Sequence, residues 1–485
     1  MSIFKYAKSI KVNGEPMNIP RILLTAGASG SGKTLITCGI LQALVNRNMK
    51  VASFKCGPDY IDPMFHSRVI GTKSRNLDTF FTGEEVTRFL LASNAKDFDI
   101  AVMEGVMGYY DGVAGITSKA SAYDVACVTD TPVILIVNAK GMSVSIVPYI
   151  KGFLEYKENS HIKGVIFNQM SAMLYPRMKE LVETELGIKV YGYVPKVEDC
   201  IIESRHLGLV LPEEIPELKE NLDRLSHILE KTLEIDEIIK TACEASEFEI
   251  LQDTSISSLA HINNDFDFKL ETHVKIAVAD DEAFCFFYED NLRLLREMGA
   301  ELIHFSPIHD KSFPTDADGL LLYGGYPELN GKLLESNETM RDSMRQKLLE
   351  GMPLMAECGG FMYLHEEMED MDGIRRNMLG IIPGKVYKTN RLSRFGYISL
   401  QSSNSVFDYD DFGSIPAHEF HYFDSENCGE DFRAEKPLSS RGWNCIHGSK
   451  TIMAGFPHLY YFGNPSVPKA FLTKCLEYKK GTVNK

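Results

Sequence analysis

The chain has 485 residues, 44% of them apolar and 24% charged, with a formal net charge of −16. Such a length and apolar fraction suit about two to four globular domains with ample core material. The acidic balance argues against generic binding to nucleic acid or anionic membrane. The ten cysteines form no CxxC pair and have no zinc spacing, so they read as reduced thiols. No apolar run nears the ~20 residues needed to span a bilayer. The opening stretch "MSIFKYAKSIKVNGEP" lacks the apolar core of a signal peptide. The expectation is a soluble, cytoplasmic protein.

In chain order, "RILLTAG", "VASFKC", "IAVMEG", "PVILIVNA", "GVIFNQM" and "VYGYVP" read as strands buried on both faces. Helical patterns such as "KTLITCGILQALVNRN" and "YPRMKELVETELG" separate them. This is the βαβ rhythm of a parallel sheet with helices on both sides. A charged helix begins near Asn221, and residues 246–272 are polar and rich in turn formers, as in a linker. A second alternation follows: "VKIAVAD", "ELIHFSP", "GLLLYGG" and "PLMAECG". After Gly380 the strands shorten, which suggests an antiparallel extension of a mixed sheet. The expected organisation is an α/β chain with a first domain at 1–245, a linker at 246–272 and a second domain at 273–485.

Between the first strand and the first helix stands "GASGSGKT", a full match to GxxxxGK(S/T) in the required context. Backbone N–H groups around Gly27, Gly30, Ser31 and Gly32 are placed to curl about phosphate oxygens, aided by the helix N-terminus. Lys33 is the residue to reach the outer phosphates, with Lys55 as a second contact, and Thr34 the one to hold Mg²⁺. Carboxylates for that ion are expected at strand ends, where open α/β sheets bind ligands: Glu104 after "IAVM", and Asp59 and Asp62 after "KCGP".

"PLMAECGGFMYL" reads as strand, tight turn and helix, with Cys358 on the turn. The helix N-terminus is expected to favour the thiolate. "LLLYGGYPEL" sets Gly324 and Gly325 at another strand end, where N–H groups suit a tetrahedral oxyanion. His458 in "AGFPHLYYF" is the candidate base, with His418 and His421 of "AHEFHYF" as competitors. An HxxH pair in a β stretch does not favour a metal.

Taken together, these segments resemble the cobyrinic acid a,c-diamide synthase family. The likeness covers nearly the whole chain through "GASGSGKT", "FKCGPDYIDP", "RNLDTFF", "MEGVMGYYDG", "ESRHLGLV", "LYGGYPEL", "AECGGFMYL" and "PAHEFHYF", in that order. The first half resembles the dethiobiotin-synthetase-like P-loop fold. The second resembles class I, triad-type glutamine amidotransferases in the branch that amidates corrinoid precursors. The resemblance implies a glutamine-hydrolysing carbon–nitrogen ligase of cobalamin biosynthesis, using ATP and Mg²⁺. Cys358 would take ammonia from glutamine, helped by His458 and the oxyanion groups at Gly324 and Gly325. ATP would activate the a and c carboxylates of cobyrinic acid as acyl phosphates. It further implies substrate handling by Asp59, Tyr60, Ile61, Asp62, Glu104 and Asp111, and Arg75, Arg205 and His206 are the candidates for anionic substrate groups. A homodimer is the candidate assembly.

The familiar triad enzymes follow the histidine with a Pro-Glu step. This chain reads His458-Leu459-Tyr460, with Pro457 before the ring, so the orienting carboxylate is missing locally. The corrinoid branch is similar in lacking it. Within the family, Ni-sirohydrochlorin and hydrogenobyrinic acid are alternative macrocycles, while "CGPDYIDP" and "ESRHLGLV" argue against cobyric acid synthase. A P-loop switch ATPase with a degenerate second domain is the alternative of another class. Ala28, where such switches carry a lysine, and the Cys358 turn argue against it.

Overall fold

The computed structural model describes residues 18–197, 215–247, 254–392 and 394–483. It forms two compact units, Met1–Thr254 and Ser255–Lys485.

The first unit is built on a seven-stranded parallel sheet. Its strands are β1 (Arg21–Ala26), β2 (Val51–Cys56), β3 (Lys73–Leu77), β4 (Ile100–Glu104), β5 (Val133–Asn138), β6 (Ile162–Asn168) and β7 (Lys189–Val194). They lie in the order β3-β2-β4-β1-β5-β6-β7. β1, β2 and β4 are buried along their whole length, as their unbroken apolar runs require. β3, "KSRNL", was absent from the expected strands. It lies at the sheet edge, where alternate positions need not be apolar. Helix α1 (Lys33–Asn46) follows β1 through the glycine-rich loop. Leu225 and Leu229 of the charged helix Ile215–Thr232 join Ile36, Ile40 and Leu44 of α1 in the core.

The second unit has a six-stranded sheet with β8 (Val274–Ala279), β9 (Ala300–Phe305), β10 (Gly319–Leu322) and β11 (Leu354–Glu357). The strand Ile452–Gly455 lies parallel beside β11, and His447–Gly448 closes the edge antiparallel. The sequence suggested that the later strands extend this sheet; among the described residues the remaining ones do not join it. They build separate sheets of four and five strands, the latter carrying Ile415–His421 next to His458–Leu459. Much of the stretch read as a linker is folded: Ile256, Leu259 and Phe266 are buried on two 3₁₀ turns. Lys469 holds Asp265 at 2.6 Å. No disulfide joins the described cysteines. Among the described residues no helix is long and apolar enough to cross a membrane.

Candidate active sites

In the first unit the loop between β1 and α1 bends through Gly30 and Gly32, both left-handed, at φ 75° and 89°. Gly32 is also a close approach. A Cβ there would stand 2.3 Å from Nδ2 of Asn168, which donates to the Ser31 carbonyl at 2.8 Å. Gly27 is as tight, its Cβ position being 2.0 Å from the Tyr149 hydroxyl. No side chain caps α1, so its first N–H groups remain for an anion. Lys33 is folded over the loop, its Nζ donating to the carbonyls of Ala28 at 3.0 Å and Met107 at 2.5 Å. Burial and the Lys55 charge lower its ammonium to about 8, against Glu104, Asp111 and Asp62.

Glu104, at the end of β4, accepts from Thr34 Oγ1 at 2.6 Å and from Lys55 Nζ at 2.8 Å. The register explains the second contact: Lys55 on β2 lies directly opposite Glu104. Lys55 also pairs with Asp62. Burial alone would strip the Lys55 charge, but Glu104 and Asp62 hold its pKa well above the ordinary lysine value. Burial raises Glu104 to about 7 despite Lys55. Asp62 is pushed up by burial, yet Lys55 and His66 bring it below the usual range. The buried His66 ring stands 3.5 Å from Glu104 Oε2, and burial lowers it to about 4.

The proposed metal residues are unequal in this geometry. Thr34 and Glu104 are joined, and Glu104 Oε2 is buried with no hydrogen-bond partner among the described residues. One hydroxyl and one carboxylate beside a phosphate cradle fit Mg²⁺, which keeps waters and takes further oxygens from substrate phosphates. Asp59 instead accepts from the backbone N–H groups of Ile61 at 2.8 Å and Asp62 at 3.1 Å through one oxygen. Its own carbonyl accepts from Asn76 at 2.6 Å. Among the described residues no group of three or more His, Cys, Asp or Glu is arranged to hold a metal.

Asp111 accepts from the Gly108 N–H at 2.9 Å and fixes the loop beside Lys33. Arg75 donates to the Ser74 carbonyl at 2.6 Å, while Tyr60 and Ile61 border the Asp59 turn. Arg205 and His206, with the segment "ESRHLGLV", lie outside the described residues.

In the second unit Cys358 sits on a strained turn between β11 and the short helix Gly359–Tyr363, at φ 45° and ψ −105°. A non-glycine residue holds such a conformation only where its surroundings impose it. Here the Cys358 N–H donates to Gly455 at 2.8 Å and its carbonyl accepts from Met362 at 2.9 Å. Gly360 must be glycine-sized, because its Cβ position is 2.1 Å from the Leu322 carbonyl. Gly325 is drawn to the same turn: its nitrogen is 3.1 Å from where a Gly359 Cβ would stand. The His458 ring lies beside Gly324, with Cε1 2.7 Å from the Cβ position of that glycine.

The expected thiolate is not the resting form. Cys358 is 8% exposed, and burial, reinforced by Glu328, holds its thiol well above the ordinary value. The Gly359 N–H at the helix start pulls the other way without prevailing. Burial and His421 lower His458 to about 3, so the ring is neutral with a lone pair to offer. His418 lies across from His458 in the strand pairing. His421 stacks on Phe456 at 3.9 Å and engages the Phe423 carbonyl through Nδ1 at 2.6 Å. Sequence reasoning missed Asn168, the Lys55–Glu104 pairing and Glu357, whose Oε2 stands 3.6 Å from His458 Nδ1. Asn168 had a signal, a polar residue ending an apolar strand.

Residues 22–210 match the CobQ/CobB/MinD/ParA nucleotide binding domain, and residues 275–464 match the CobB/CobQ-like glutamine amidotransferase domain. A nucleotide-binding unit joined to a glutamine amidotransferase unit makes this a glutamine-hydrolysing ligase. A cobyrinate a,c-diamide synthase of Caldanaerobacter subterraneus is 35% identical over 94% of this chain and 99% of its own length. Those of Clostridium tetani and Thermoplasma volcanium are 37% and 34% identical, over 93% and 96% of this chain and 99% of each relative. The chain belongs to the cobyrinate a,c-diamide synthase family.

Proposed function

We propose that the chain amidates the a and c carboxylates of cobyrinic acid with ammonia from glutamine, through an ATP-derived acyl phosphate. The observation that supports this reading is the strained Cys358 turn, with the Gly325 nitrogen close to it and the His458 ring beside Gly324 and Glu357, in the unit that does not hold the P-loop. The names of the relatives support the choice of macrocycle.

Cys358 Sγ attacks the glutamine side-chain amide, and its proton passes to His458 Nε2. The Gly325 N–H receives the oxyanion. Collapse expels ammonia, which takes the proton from His458, and leaves a glutamyl thioester. Water then cleaves the thioester to glutamate and regenerates the thiol. In the first unit the loop N–H groups and Lys33 orient the nucleotide so that a substrate carboxylate oxygen meets the γ-phosphoryl in line. ADP leaves, ammonia attacks the acyl phosphate, and phosphate leaves as the carboxamide forms. Thr34 and Glu104 would hold Mg²⁺, which supplies charge neutralisation at the phosphates. Lys55 neutralises Glu104 and Asp62 without a bound ion.

The test is Cys358→Ala incubated with ATP, macrocycle and either nitrogen donor, followed by mass. Two carboxamides from ammonia but none from glutamine is the expected result. Equal loss with both donors would refute the division of labour.

A further inference from the structure

The chain lacks a carboxylate just after its histidine, yet a buried carboxylate reaches that ring from elsewhere. Glu357 ends β11 immediately before the nucleophile turn, and its Oε2 lies 3.6 Å from His458 Nδ1. Both side chains are almost fully buried, at 5% and 4% exposure. Burial raises the Glu357 carboxyl well above its ordinary value, against a pull from the Leu459 backbone N–H beside the histidine. Its other oxygen, Oε1, is buried without a hydrogen-bond partner among the described residues. A carboxylate left so incompletely satisfied is costly in a core, and such groups concentrate where a site uses them.

We propose that Glu357 is the positioning residue of His458: its Oε2 faces Nδ1, accepts the Nδ1–H and so fixes the tautomer whose Nε2 lone pair takes the Cys358 proton. The idea rests on the reading of Cys358 and His458 as the glutaminase pair. The separation is longer than a hydrogen bond, as is common in free enzymes, and shortens when the ring becomes charged. The contact follows from topology. The strand Ile452–Gly455 pairs with β11 so that Gly455 lies opposite Glu357, and the turn after it swings His458 back over the same strand end. Cys358 and its orienting acid are thus neighbours in sequence, and the base comes from a distant strand.

Other titratable groups surround the ring. His418, Glu419 and His421 face it from Ile415–His421, and Cys358 with Glu328 lies at the nucleophile turn. Tyr323 and Tyr461, whose hydroxyls meet at 3.1 Å, lie near Glu357. Glu419 also acts on the ring electrostatically, but its own contacts run to His421 at 3.8 Å, Arg394 at 3.9 Å and Trp443 at 3.4 Å, while Glu357 is the carboxyl that approaches Nδ1.

The test uses the full chain as Glu357→Gln, His458→Ala and the double variant. Two quantities are read: glutamine hydrolysis, and the pH at which iodoacetamide alkylates Cys358, with Cys358→Ser as the blank. Glu357→Gln should lower kcat about 100-fold with KM changed by less than about twofold, and move the alkylation midpoint to higher pH. In the His458→Ala background it should change neither further. Unaltered kcat and midpoint in Glu357→Gln, or losses that multiply in the double variant, overturn the proposal. If Glu357→Gln does not fold, Glu357→Asp serves. A partial loss that vanishes in the His458→Ala background supports the proposal, and a wild-type rate refutes it. Glutamine hydrolysis by Cys358→Ala would instead sink the underlying reading, whatever Glu357 does.

Discussion

Gly324→Ala tests the second site without removing any reacting group. The backbone at Gly324 is not left-handed, so alanine is tolerated by the chain itself. Its methyl group, however, would stand 2.7 Å from Cε1 and 3.5 Å from Nδ1 of His458, with Phe286 Cβ 3.4 Å away on the other side. Carbon atoms rest at about 3.5–4.0 Å, so either the ring retreats by about 1 Å or the glycine segment shifts by as much. The ring is only 3% exposed, which leaves it no room to swing clear. A misplacement of about 1 Å costs on the order of 10²-fold in rate, or about 2.7 kcal/mol of transition-state stabilisation. Overpacking would add a loss of about 1–3 kcal/mol in stability. The assay is glutamate release alongside ammonia-dependent amidation, with a thermal melt on each variant. Glutaminase activity should fall while the ammonia-dependent rate holds. A Gly324→Ala protein with a wild-type glutaminase rate would show that the ring position is immaterial and remove His458 from the mechanism.

Four further outcomes are expected. Lys33→Ala should abolish ADP release with either nitrogen donor, as measured by coupled nucleotide assay. In the free protein the Lys33 ammonium is lowered to about 8, and only the charged form attracts phosphate. Affinity for a non-hydrolysable ATP analogue should therefore weaken above pH 8, by at most about tenfold per pH unit, whereas a flat response from pH 7 to 9 would contradict the assignment. Chelation of Mg²⁺ should stop amidation, and Thr34→Ala should raise the Mg²⁺ needed for half-maximal rate by about tenfold, read by titration. Lys55→Met leaves Glu104 and Asp62 buried without their cation, so unfolding of the first unit should become easier by about 3–5 kcal/mol in a denaturant titration. Adding Glu104→Gln should recover part of that loss.

What the sequence made legible was what is local. The phosphate loop is a contiguous pattern whose spacing is its mechanism, and the Cys358 turn is announced by the glycines on both sides of it. That Glu104 ends a strand was readable from the apolar run before it. Register was not readable. Nothing in "VASFKC" and "IAVMEG" says that Lys55 and Glu104 stand side by side, because that depends on β2 and β4 being neighbours in phase. The edge strand β3 escaped because "KSRNL" has no apolar period, and half-buried edges do not need one. Glu357 was hidden for a stronger reason. Its partner ring lies about a hundred positions away in the chain, and the usual place for an orienting acid, after the histidine, is occupied by Leu459 and Tyr460. The late strands were seen, but short alternating runs do not reveal which sheet each one joins.

The two sites use burial in opposite ways. In the first, burial is tolerated by pairing: Lys55 stays charged because Glu104 and Asp62 close around it. In the second, burial keeps the reacting groups uncharged, with the thiol raised and the imidazole lowered to about 3. In the mechanism we propose, passing a proton from Cys358 to His458 creates two charges where water is scarce, and the transfer is uphill until something stabilises both products. The glutamine carbonyl supplies one relief, since the sulfur charge moves onto an oxyanion facing the Gly325 N–H as the bond forms. Glu357 supplies the other in that proposal: its Oε2 faces the ring, and the new imidazolium favours ionisation of a carboxyl that burial raises well above its ordinary value. Proton transfer thereby becomes tied to bond formation. A thiol poised this way is nearly inert toward solvent and general electrophiles, and it reacts when an amide carbonyl is seated against the oxyanion donors. The free protein should therefore resist iodoacetamide at pH 7 far better than an ordinary exposed cysteine does.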